Sequence, residues 1–458
     1  MKVMKFGGGC LKDAASFDQA ASIISREKKR PVVVVSAVSG VTDMLLEACH
    51  RAKMSEKSVA ASIRRIRELH EALVGKLIRE NEVRRGVSRH LAAVLRNAEK
   101  LLYGISFTTE VTPATRSRVA SCGERLAAFL LAALLADRGL PAQALESDKI
   151  GMVTDDVLEN ATVNLAVFKR NIRRAGWNGG RREIVPVITG FFGVTPKGQI
   201  ATFGRNGTDY SAAVVAAGFG ASRLEIWKDV QGLMSADPKL VPDARKISRL
   251  SYYEAAELSY FGAKVLHPRT LEPLHGLPIS VVIKNLWDPD DPGTEVVPNG
   301  SIKRNIIKSV TCNPNIVLLR IHGPGVGYKP GIMGTIGGRL SAQGINIYSI
   351  ITSQTCINLL VDRKDSARSF EALKAERGGV IERVDLETDI VLIAVVGEGL
   401  QRRKGLAARV FAAVSRAGVN VEMISTGASE VAAYFIVNRS DQTRTIRAIH
   451  REFFEARR

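Results

Sequence analysis

Short apolar runs alternate with helical patterns over the first two-thirds of the chain. Residues 32–35 are four consecutive valines, and residues 3–6 form a second apolar run that ends in glycines. Continuous runs of this kind are typical of strands that are buried on both faces of a parallel sheet. Further apolar runs occupy residues 184–188, 200–203, 224–227 and 279–283. Strands that alternate with helices predict an α/β fold with a mainly parallel sheet.

A long amphipathic segment lies between the valine run at 32–35 and the apolar run at 184–188. From about residue 44 to residue 103, apolar side chains such as Ile63, Ile66 and Leu69 recur at spacings of three and four. This spacing places them on one face of a helix. The segment therefore predicts a helical region within the α/β fold.

The last third of the chain contains an internal repeat. Residues 288–300 are rich in Pro, Asp, Gly and Asn, which indicates a linker. Beyond them, Gly-Ile-Asn-Ile at 344–347 and Gly-Val-Asn-Val at 418–421 each follow a helical pattern and precede a strand pattern. Recurrence at a fixed order of elements marks repeated structural units. Two copies of a small βαββ-type unit are predicted.

Charge and cysteine content narrow the classes of function. The 458 residues include 65 Lys and Arg against 46 Asp and Glu, a formal net charge of +19. The basic residues of segment 51–100 have few aromatic neighbours, so a solvated basic surface is favoured over a nucleic-acid site. The five cysteines are scattered without C-x-x-C spacing, which argues against a zinc site or a disulfide framework and favours the cytoplasm.

No apolar run reaches the roughly 18 residues that a membrane span needs. The longest, 126–136, stops at Asp137. We therefore expect neither a membrane nor a nucleic acid among the partners, whereas a positive field suits anionic substrates that carry phosphate or carboxylate groups.

The first candidate for chemistry is the glycine loop that follows the first strand. Lys5 and Phe6 precede three glycines at 7–9. Glycines at a strand end let backbone N–H groups approach an anion, and a lysine adds a point charge. Neither G-x-G-x-x-G nor G-x-x-x-x-G-K-[ST] is present, so the two standard nucleotide fingerprints are absent. On this segment alone, a plain tight turn is an equal alternative.

Charged residues in otherwise small or apolar segments are further candidates. Arg205 lies in a loop of small residues and offers a planar fork for a carboxylate. Asp209 belongs to the same ligand-binding loop but lies near a helix predicted from Tyr210, so a role as an N-cap and nothing more is the alternative. Glu124 stands in an apolar helical stretch, where it either pairs with Arg125 or faces a ligand cation. The loop at 227–239 follows a strand, where α/β sheets bind ligands. In the segment 261–268, Lys264 can reach phosphates, with a solvated surface lysine as the alternative.

Taken in order, these motifs resemble the aspartate kinase family over nearly the whole chain. They are Lys5-Phe6-Gly7-Gly8, Gly123-Glu124-Arg125-Leu126, Gly204-Arg205 with Asp209-Tyr210-Ser211, Ile226-Trp227 with Asp229-Val230, and Phe261-Gly262-Ala263-Lys264-Val265-Leu266-His267-Pro268. The resemblance implies an amino-acid-kinase-like αβα sandwich at 1–300 with a helical insert at about 44–119. It also implies two ACT-type (ferredoxin-like, α+β) domains, at 301–388 and 389–458, with the C-terminal segment completing the first.

The resemblance also implies an activity. Aspartate kinases transfer the γ-phosphoryl group of ATP to the β-carboxylate of L-aspartate, which opens the synthesis of lysine, threonine and methionine. Such a carboxylate is already ionised, so the reaction needs positioning and charge stabilisation rather than a general base. ATP is expected with Mg²⁺ across its phosphates and with no metal site of the protein's own. The expected partners are an effector, threonine or lysine, on the ACT domains and further copies of the chain in a dimer or tetramer.

Residue roles follow from the same resemblance. The expected catalytic residues are Lys5, Asp209, Gly7 and Gly8. The expected aspartate-binding residues are Thr42, Glu124, Phe191, Arg205 and Thr208. The expected nucleotide-binding residues are Lys5, Gly7, Gly8, Ser36, Lys228, Asp229, Met234, Lys239 and Lys264. Effector contacts are expected from the loop 325–331, the helix start after it, and residues 346–349.

Several departures from the family pattern leave alternatives open. Gly9 and Cys10 stand where Thr and Ser are usual, Lys228 where Thr is usual, and Cys356 where an acidic residue is expected. Restoring Thr and Ser at 9 and 10 is expected to raise activity modestly. The principal alternative is a weakly active or inactive paralogue that senses amino acids as a regulatory subunit. A kinase for another amino acid, such as glutamate, fits the motif that ends at Pro268 less well.

Overall fold

A computed structural model describes five stretches of the chain, 1–177, 183–263, 266–298, 306–374 and 381–455. The chain divides into two compact units, each built from three segments. The first unit consists of Met1–Leu233, Ser248–Tyr252 and Val265–Gly300. The second consists of Met234–Ile247, Tyr253–Lys264 and Ser301–Arg458.

The first unit is built on an eight-stranded sheet. Its strands are β1 Lys2–Phe6, β2 Val32–Val35, β3 Ala142–Leu145, β4 Val185–Thr189, β7 Arg223–Lys228, β8 Arg249–Ser251, β9 Ser280–Asn285 and β10 Thr294–Val297; a separate two-stranded ribbon consists of β5 Phe192–Val194 and β6 Ile200–Thr202. The strand order in the large sheet is β3-β4-β2-β1-β7-β9-β10-β8. Six strands run parallel, and β10 joins antiparallel to β9. The predicted mainly parallel sheet is confirmed.

Helices cover this sheet. They are α1 Ala14–Ser25, α2 Val41–Met54, α3 Lys57–Leu77, α4 Asn81–Thr108, α5 Pro113–Ala120, α6 Cys122–Asp137, α7 Leu165–Arg174 and α8 Gly207–Phe219. Met4 and Phe6 of β1 enter a large apolar core with α1–α4 and α6. Because side chains alternate along a strand, Lys5 points to the opposite face, where Asp209 of α8 lies.

One helical stretch has the length and composition of a membrane span. It covers Pro113–Asp137, and most of its apolar part is buried inside the protein. Leu130, Leu131 and Leu134 of α6 are fully or almost fully inaccessible to solvent. This stretch is therefore accounted for as a core helix of the first unit.

The second unit contains two four-stranded sheets. Its elements are α9 Tyr252–Tyr260 (which begins at the boundary of the first unit), β11 Ser309–Asn313, β12 Ile316–His322, α10 Ile332–Ala342, β13 Ile347–Thr352, β14 Cys356–Asp362, α11 Ser366–Lys374, β15 Arg383–Glu387, β16 Ile390–Val396, α12 Leu406–Arg416, β17 Met423–Ser425, β18 Ala432–Asn438 and α13 Gln442–His450. The sheet orders are β13-β14-β12-β15 and β11-β16-β18-β17. Each predicted repeat copy thus has its own sheet and helices.

The segment that crosses from one repeat copy to the other is not the one that was expected. The C-terminal segment was expected to complete the first copy, but Ile446 and Ile449 of α13 pack in the core of the second copy. It is β11, ahead of the first copy, that joins the second sheet, where Ser309 pairs with Val396. The fourth strand of the first sheet is β15, which pairs with β12. Along the chain, the whole first copy is therefore inserted between β11 and β16, two paired strands of the second sheet.

Candidate active site

Two lysines converge on one buried carboxylate at the carboxyl ends of β1 and β7. The Nζ of Lys5 lies 2.5 Å from Oδ1 of Asp209, and the Nζ of Lys228 lies 3.1 Å from Oδ2. Asp209 is in the first turn of α8, which begins at Gly207 and not at Tyr210 as expected. Asn206, with a φ of 57°, is the N-cap residue. The reading of Asp209 as only an N-cap is therefore wrong.

The two ammonium groups keep Asp209 ionised. Burial by itself would raise the pKa of this carboxyl, but the charges and hydrogen bonds of Lys5 and Lys228 outweigh burial and lower it to about 2. Asp209 is consequently anionic at every physiological pH. It fixes two positive charges side by side, an arrangement suited to a ligand that carries several negative charges.

The glycine loop lies directly beyond Lys5. Residues Gly8–Cys10 form one 3-10 turn, and the N–H of Cys10 donates to the carbonyl of Gly7 at 2.9 Å. Gly8 contributes to the wall of a neighbouring cavity of about 570 Å³. The loop therefore joins the lysine pair to an open pocket of the first unit.

This cavity brings together seven of the predicted site residues. They are Gly8, Ser36, Thr42, Glu124, Phe191, Arg205 and Thr208. They come from the loops after β1, β2, β4 and β6, from the start of α2 and from helices α6 and α8. Loops at the carboxyl ends of parallel strands are the usual binding edge of an α/β sheet. The fold thus gathers residues that are far apart in the sequence into one pocket.

Glu124 carries an unusual buried carboxylate. The side chain is almost fully buried; its Oε1 accepts from the N–H of Ala37 at 3.2 Å, and its Oε2 has no hydrogen-bond partner within the described stretches. Burial raises the pKa of Glu124 to about 8, against the smaller opposing effect of the Ala37 hydrogen bond. The neighbouring Arg125 instead pairs with Glu146 and Asp148. Glu124 is therefore free to bind a ligand cation, which is one of the two roles predicted from the sequence; the other, a pair with Arg125, is not formed.

Arg205 and Phe191 also line this pocket. Arg205 is exposed at the rim, and within the described stretches no carboxylate pairs with it. Phe191 has a φ of 70°, which is rare for a bulky residue, and its N–H donates to Oγ of Ser211 at 2.8 Å. This hydrogen bond to α8 holds a strained backbone in place beside the cavity. The pocket therefore contains the carboxylate of Glu124 and the guanidinium of Arg205, each of which can bind an oppositely charged group.

Gly9, which stands where the family usually has Thr, lies against the side chain of Asp229. A Cβ atom on Gly9 would lie 2.8 Å from the carboxylate carbon of Asp229. Real Cβ atoms do not approach other atoms so closely, so any side chain at position 9 must displace Asp229. Cys10 is fully buried, and burial raises the pKa of its thiol to about 12. The thiol thus stays protonated and does not replace a hydroxyl in the loop.

Gly9→Thr is therefore expected to weaken nucleotide binding, in contrast to the modest gain expected from the sequence. Displacement of Asp229 should raise the KM for ATP by about three- to tenfold, with a smaller effect on the KM for aspartate. Steady-state kinetics with each substrate varied in turn measure both constants. Cys10→Ser, which adds no volume, is the matched control. A Gly9→Thr enzyme with an unchanged or lower KM for ATP would contradict the role of Asp229.

Of the residues predicted to bind the nucleotide, Gly8 and Ser36 line this cavity, whereas Lys5, Gly7, Lys228 and Asp229 do not line it. Met234 and Lys239 belong to the second unit, where the neighbouring Ser235 lies 3.0 Å from Nε2 of the buried His450. Lys264 lies outside the described residues. Conversely, the cavity includes an exposed ion pair of Arg116 with Glu159 that sequence reasoning missed. Surface charges of this kind leave no distinctive signal in a sequence.

Comparisons with known proteins agree with this architecture. A model described as the amino acid kinase family matches residues 1–285, and an ACT-domain model matches residues 393–453. Aspartokinase 1, chloroplastic, of Arabidopsis thaliana is 31% identical over 99% of this chain and 80% of its own length. The chain therefore belongs to the amino acid kinase family, and within it to the aspartokinases.

Solved structures show the same relationship. Escherichia coli aspartokinase III in complex with aspartate and ADP (R-state) has a TM-score of 0.83 and 28% identity, and the match covers 99% of this chain and 100% of that chain. The same enzyme with lysine and aspartate (T-state) has a TM-score of 0.84 and 27% identity, with 99% of each chain covered. The expected fold class, an αβα sandwich followed by ACT-type units, is confirmed.

Proposed function

We propose that this aspartokinase transfers the γ-phosphoryl group of ATP to the β-carboxylate of L-aspartate and releases 4-phospho-L-aspartate, the first step towards lysine, threonine and methionine. The observation that carries the proposal is the adjacency of two sites. One is the pair of lysines on Asp209, and the other is the cavity with the carboxylate of Glu124 and the guanidinium of Arg205.

The cavity has the charges that an amino acid with a free ammonium and a free α-carboxylate requires. Glu124 would bind the ammonium group through its unpaired oxygen, and Arg205 would bind the α-carboxylate with its planar fork. Ser36, Thr42, Phe191 and Thr208 would shape the walls. With both α-groups held, the side-chain carboxylate of aspartate is left to point towards the lysines.

Lys5 and Lys228 would act on the phosphoryl group itself. The acceptor carboxylate and the triphosphate are both anionic, so their approach is opposed by charge. Two ammonium groups fixed on Asp209 offset this repulsion and stabilise the charge on the transferring oxygens. The glycines at 7 and 8 leave room for phosphate beside the backbone. No residue is needed to remove a proton, because the acceptor is already ionised.

The nucleotide would be bound by the loops after β7 and by magnesium. Asp229 lies beside the glycine loop, and we assign Met234, Lys239 and Lys264 to nucleotide binding on the family pattern alone. Within the described stretches no group of three or more acidic, histidine or cysteine side chains could hold a metal, and both oxygens of Asp209 face lysines. We expect Mg²⁺ to enter with ATP and to be held chiefly by its phosphates.

The test is a kinase assay in which the acyl phosphate is trapped as a hydroxamate with hydroxylamine. Hydroxamate should form only when ATP, Mg²⁺ and L-aspartate are all present, and glutamate should not replace aspartate. If purified protein forms no hydroxamate yet binds amino acids, the regulatory-paralogue alternative is correct. Product formed from glutamate at a similar rate would reassign the substrate.

The two ACT-type copies are assigned a regulatory role with an amino acid as effector, threonine or lysine. An effector regulates by binding one quaternary state more tightly than another. We place its contacts in the loop 325–331, the start of α10, and residues 346–349.

Each sheet ends in a strand that is partly exposed, β13 or β17, which suits assembly into a dimer or tetramer. All five cysteines are unpaired, in keeping with a cytoplasmic enzyme.

The effector assignment predicts reciprocal coupling. Calorimetric titration of the full chain should show submillimolar binding of threonine or lysine and, apart from the substrate aspartate, none for the other amino acids tested. Saturating effector should raise the apparent KM for ATP or aspartate, and that substrate should weaken effector binding by the same factor. Ser349→Asp, which places a carboxylate within the assigned contacts, should abolish the heat signal while leaving the uninhibited rate intact. Binding that survives this substitution unchanged would move the effector site elsewhere.

A further inference from the structure

We propose that Arg269 is a positioning residue that holds the aspartate-binding wall of the cavity in its working shape. Arg269 lies in a 3-10 turn, Pro268–Leu274, and its side chain is only 13% exposed. Its Nη1 and Nη2 groups donate to two other parts of the first unit. The inference rests on the proposed function, because it concerns how Arg205 is presented to aspartate.

The guanidinium joins two segments that are distant in sequence. One nitrogen, Nη1, donates to the carbonyl of Phe203 at 2.7 Å and to Oδ1 of Asn160. The other, Nη2, donates to the carbonyls of Asn160, at 3.3 Å, and Ala161. The loop that contains Glu159 and Asn160 is thereby tied to the end of β6.

The same guanidinium also stacks on the helix that carries Asp209. Its central carbon lies 4.6 Å from the ring centroid of Tyr210, the residue after Asp209. The Tyr210 hydroxyl in turn accepts from the N–H of Val163 at 3.0 Å. A desolvated guanidinium over an aromatic ring adds attraction to the hydrogen bonds. Arg269 thus contacts both the loop before Arg205 and the first turn of α8.

The consequence for Arg205 follows from the geometry of one glycine. Gly204 has a φ of 72°, and a Cβ there would lie 3.1 Å from Oδ1 of Asn160. The backbone between Phe203 and Arg205 therefore turns sharply against the loop that Arg269 holds. If the loop moved, this turn would lose its support and Arg205 would leave the rim. Arg269 acts on substrate binding through Arg205, without touching the substrate.

A lysine cannot perform this task, because one ammonium cannot reach carbonyls on two segments in fixed directions. Arg269→Gln and Arg269→Lys should therefore each raise the KM for aspartate by at least about tenfold, with the KM for ATP changed by less than about twofold. A residue that only stabilises the fold would lower the yield of active enzyme, and hence kcat, but would not separate the two KM values. Glu272→Gln is the matched control in the same turn: its carboxylate is exposed and 4.0 Å from Arg269.

The decisive experiment is a double-mutant cycle with Arg205→Gln. We expect Arg205→Gln alone to raise the KM for aspartate by at least about tenfold. In that background, Arg269→Gln should add little, because its effect passes through a residue that is already lost. Fully additive effects would overturn the inference, as would an unchanged KM in Arg269→Gln. If Arg205→Gln itself leaves the KM for aspartate unchanged, the proposed substrate site fails instead.

A second variant keeps the inference testable if Arg269→Gln does not fold. Asn160→Ala removes one acceptor and the contact with Gly204 but leaves the carbonyl partners of Arg269 in place. It should raise the KM for aspartate by about three- to tenfold and leave the KM for ATP unchanged. If both Asn160→Ala and Arg269→Lys are folded and bind aspartate normally, the positioning role is excluded.

Discussion

Replacement of Lys5 by alanine is expected to lower kcat by about 100-fold or more, the loss of about 2.7–4 kcal/mol that follows removal of one fixed charge donor. Lys5 is almost fully buried, and its ammonium lies 2.5 Å from Asp209. Its position is therefore set before any substrate binds. Water that enters the space left by the side chain cannot provide an equally oriented positive charge at the phosphoryl group.

The two KM values, a control at Lys2 and a comparison with Lys228 make this result specific. Both KM values should change by less than kcat, since the charge is needed most in the transition state. Lys2→Ala removes a lysine of the same strand that pairs with Glu27 and Glu225, so stability should fall while kcat is kept. Lys228→Ala should have an intermediate effect, because Lys228 is partly exposed. If Lys5→Ala retains near wild-type kcat, the catalytic assignment fails.

The sequence was sufficient where a pattern is local and repeated. Four consecutive valines and the run that includes Lys5 and Phe6 predicted two central strands, and both are buried in the sheet. Glu124, predicted within an apolar helical stretch, lies in α6, and Arg205, predicted in a loop of small residues, lies just ahead of α8; both line the same cavity. Local spacing carries this information without any knowledge of long-range contacts.

The remaining features depend on contacts between distant segments, which no local pattern encodes. The pairing of β11 with β16 is a choice between two similar sheets, and either sheet could have accepted an apolar strand. The space at Gly9 is occupied by Asp229, some 220 positions along the chain. Arg269 directly follows the motif that ends at Pro268, yet its partners at 160, 161 and 203 are visible only once the chain is folded.

Glu124 provides the second large effect, a steep pH dependence of aspartate binding. Burial raises the pKa of its carboxyl to about 8 in the protein without substrate, so at pH 7 only about a tenth of molecules have the charged form. The ammonium of aspartate needs the charged form. The KM for aspartate should therefore fall about tenfold for each unit of pH between 6 and 7.5 and level off above 8. The KM for ATP should not follow this curve.

The free energy of unfolding of the substrate-free protein should fall as the pH rises, whereas aspartate binding becomes tighter. A carboxyl whose pKa is raised by folding, from 4.5 to about 8, favours the native state at low pH. That contribution is complete below about pH 4.5 and is lost as the pH rises through about 8. Since aspartate binds the charged form, the increase in Tm that saturating aspartate produces should grow over the same range.

Glu124→Gln separates these effects from any other titrating group. The amide keeps the shape of the side chain and can still accept from Ala37, but it cannot become charged. The variant should have a KM for aspartate raised at least about 100-fold at pH 8, because an unpaired ammonium is then bound in a buried site. Its KM should no longer vary with pH. Glu47→Gln, an exposed carboxylate paired with Arg51, is the control and should reproduce the wild-type curve. A wild-type KM that is flat from pH 6 to 8 would show that Glu124 is already charged, and the ammonium would then need another partner in the cavity.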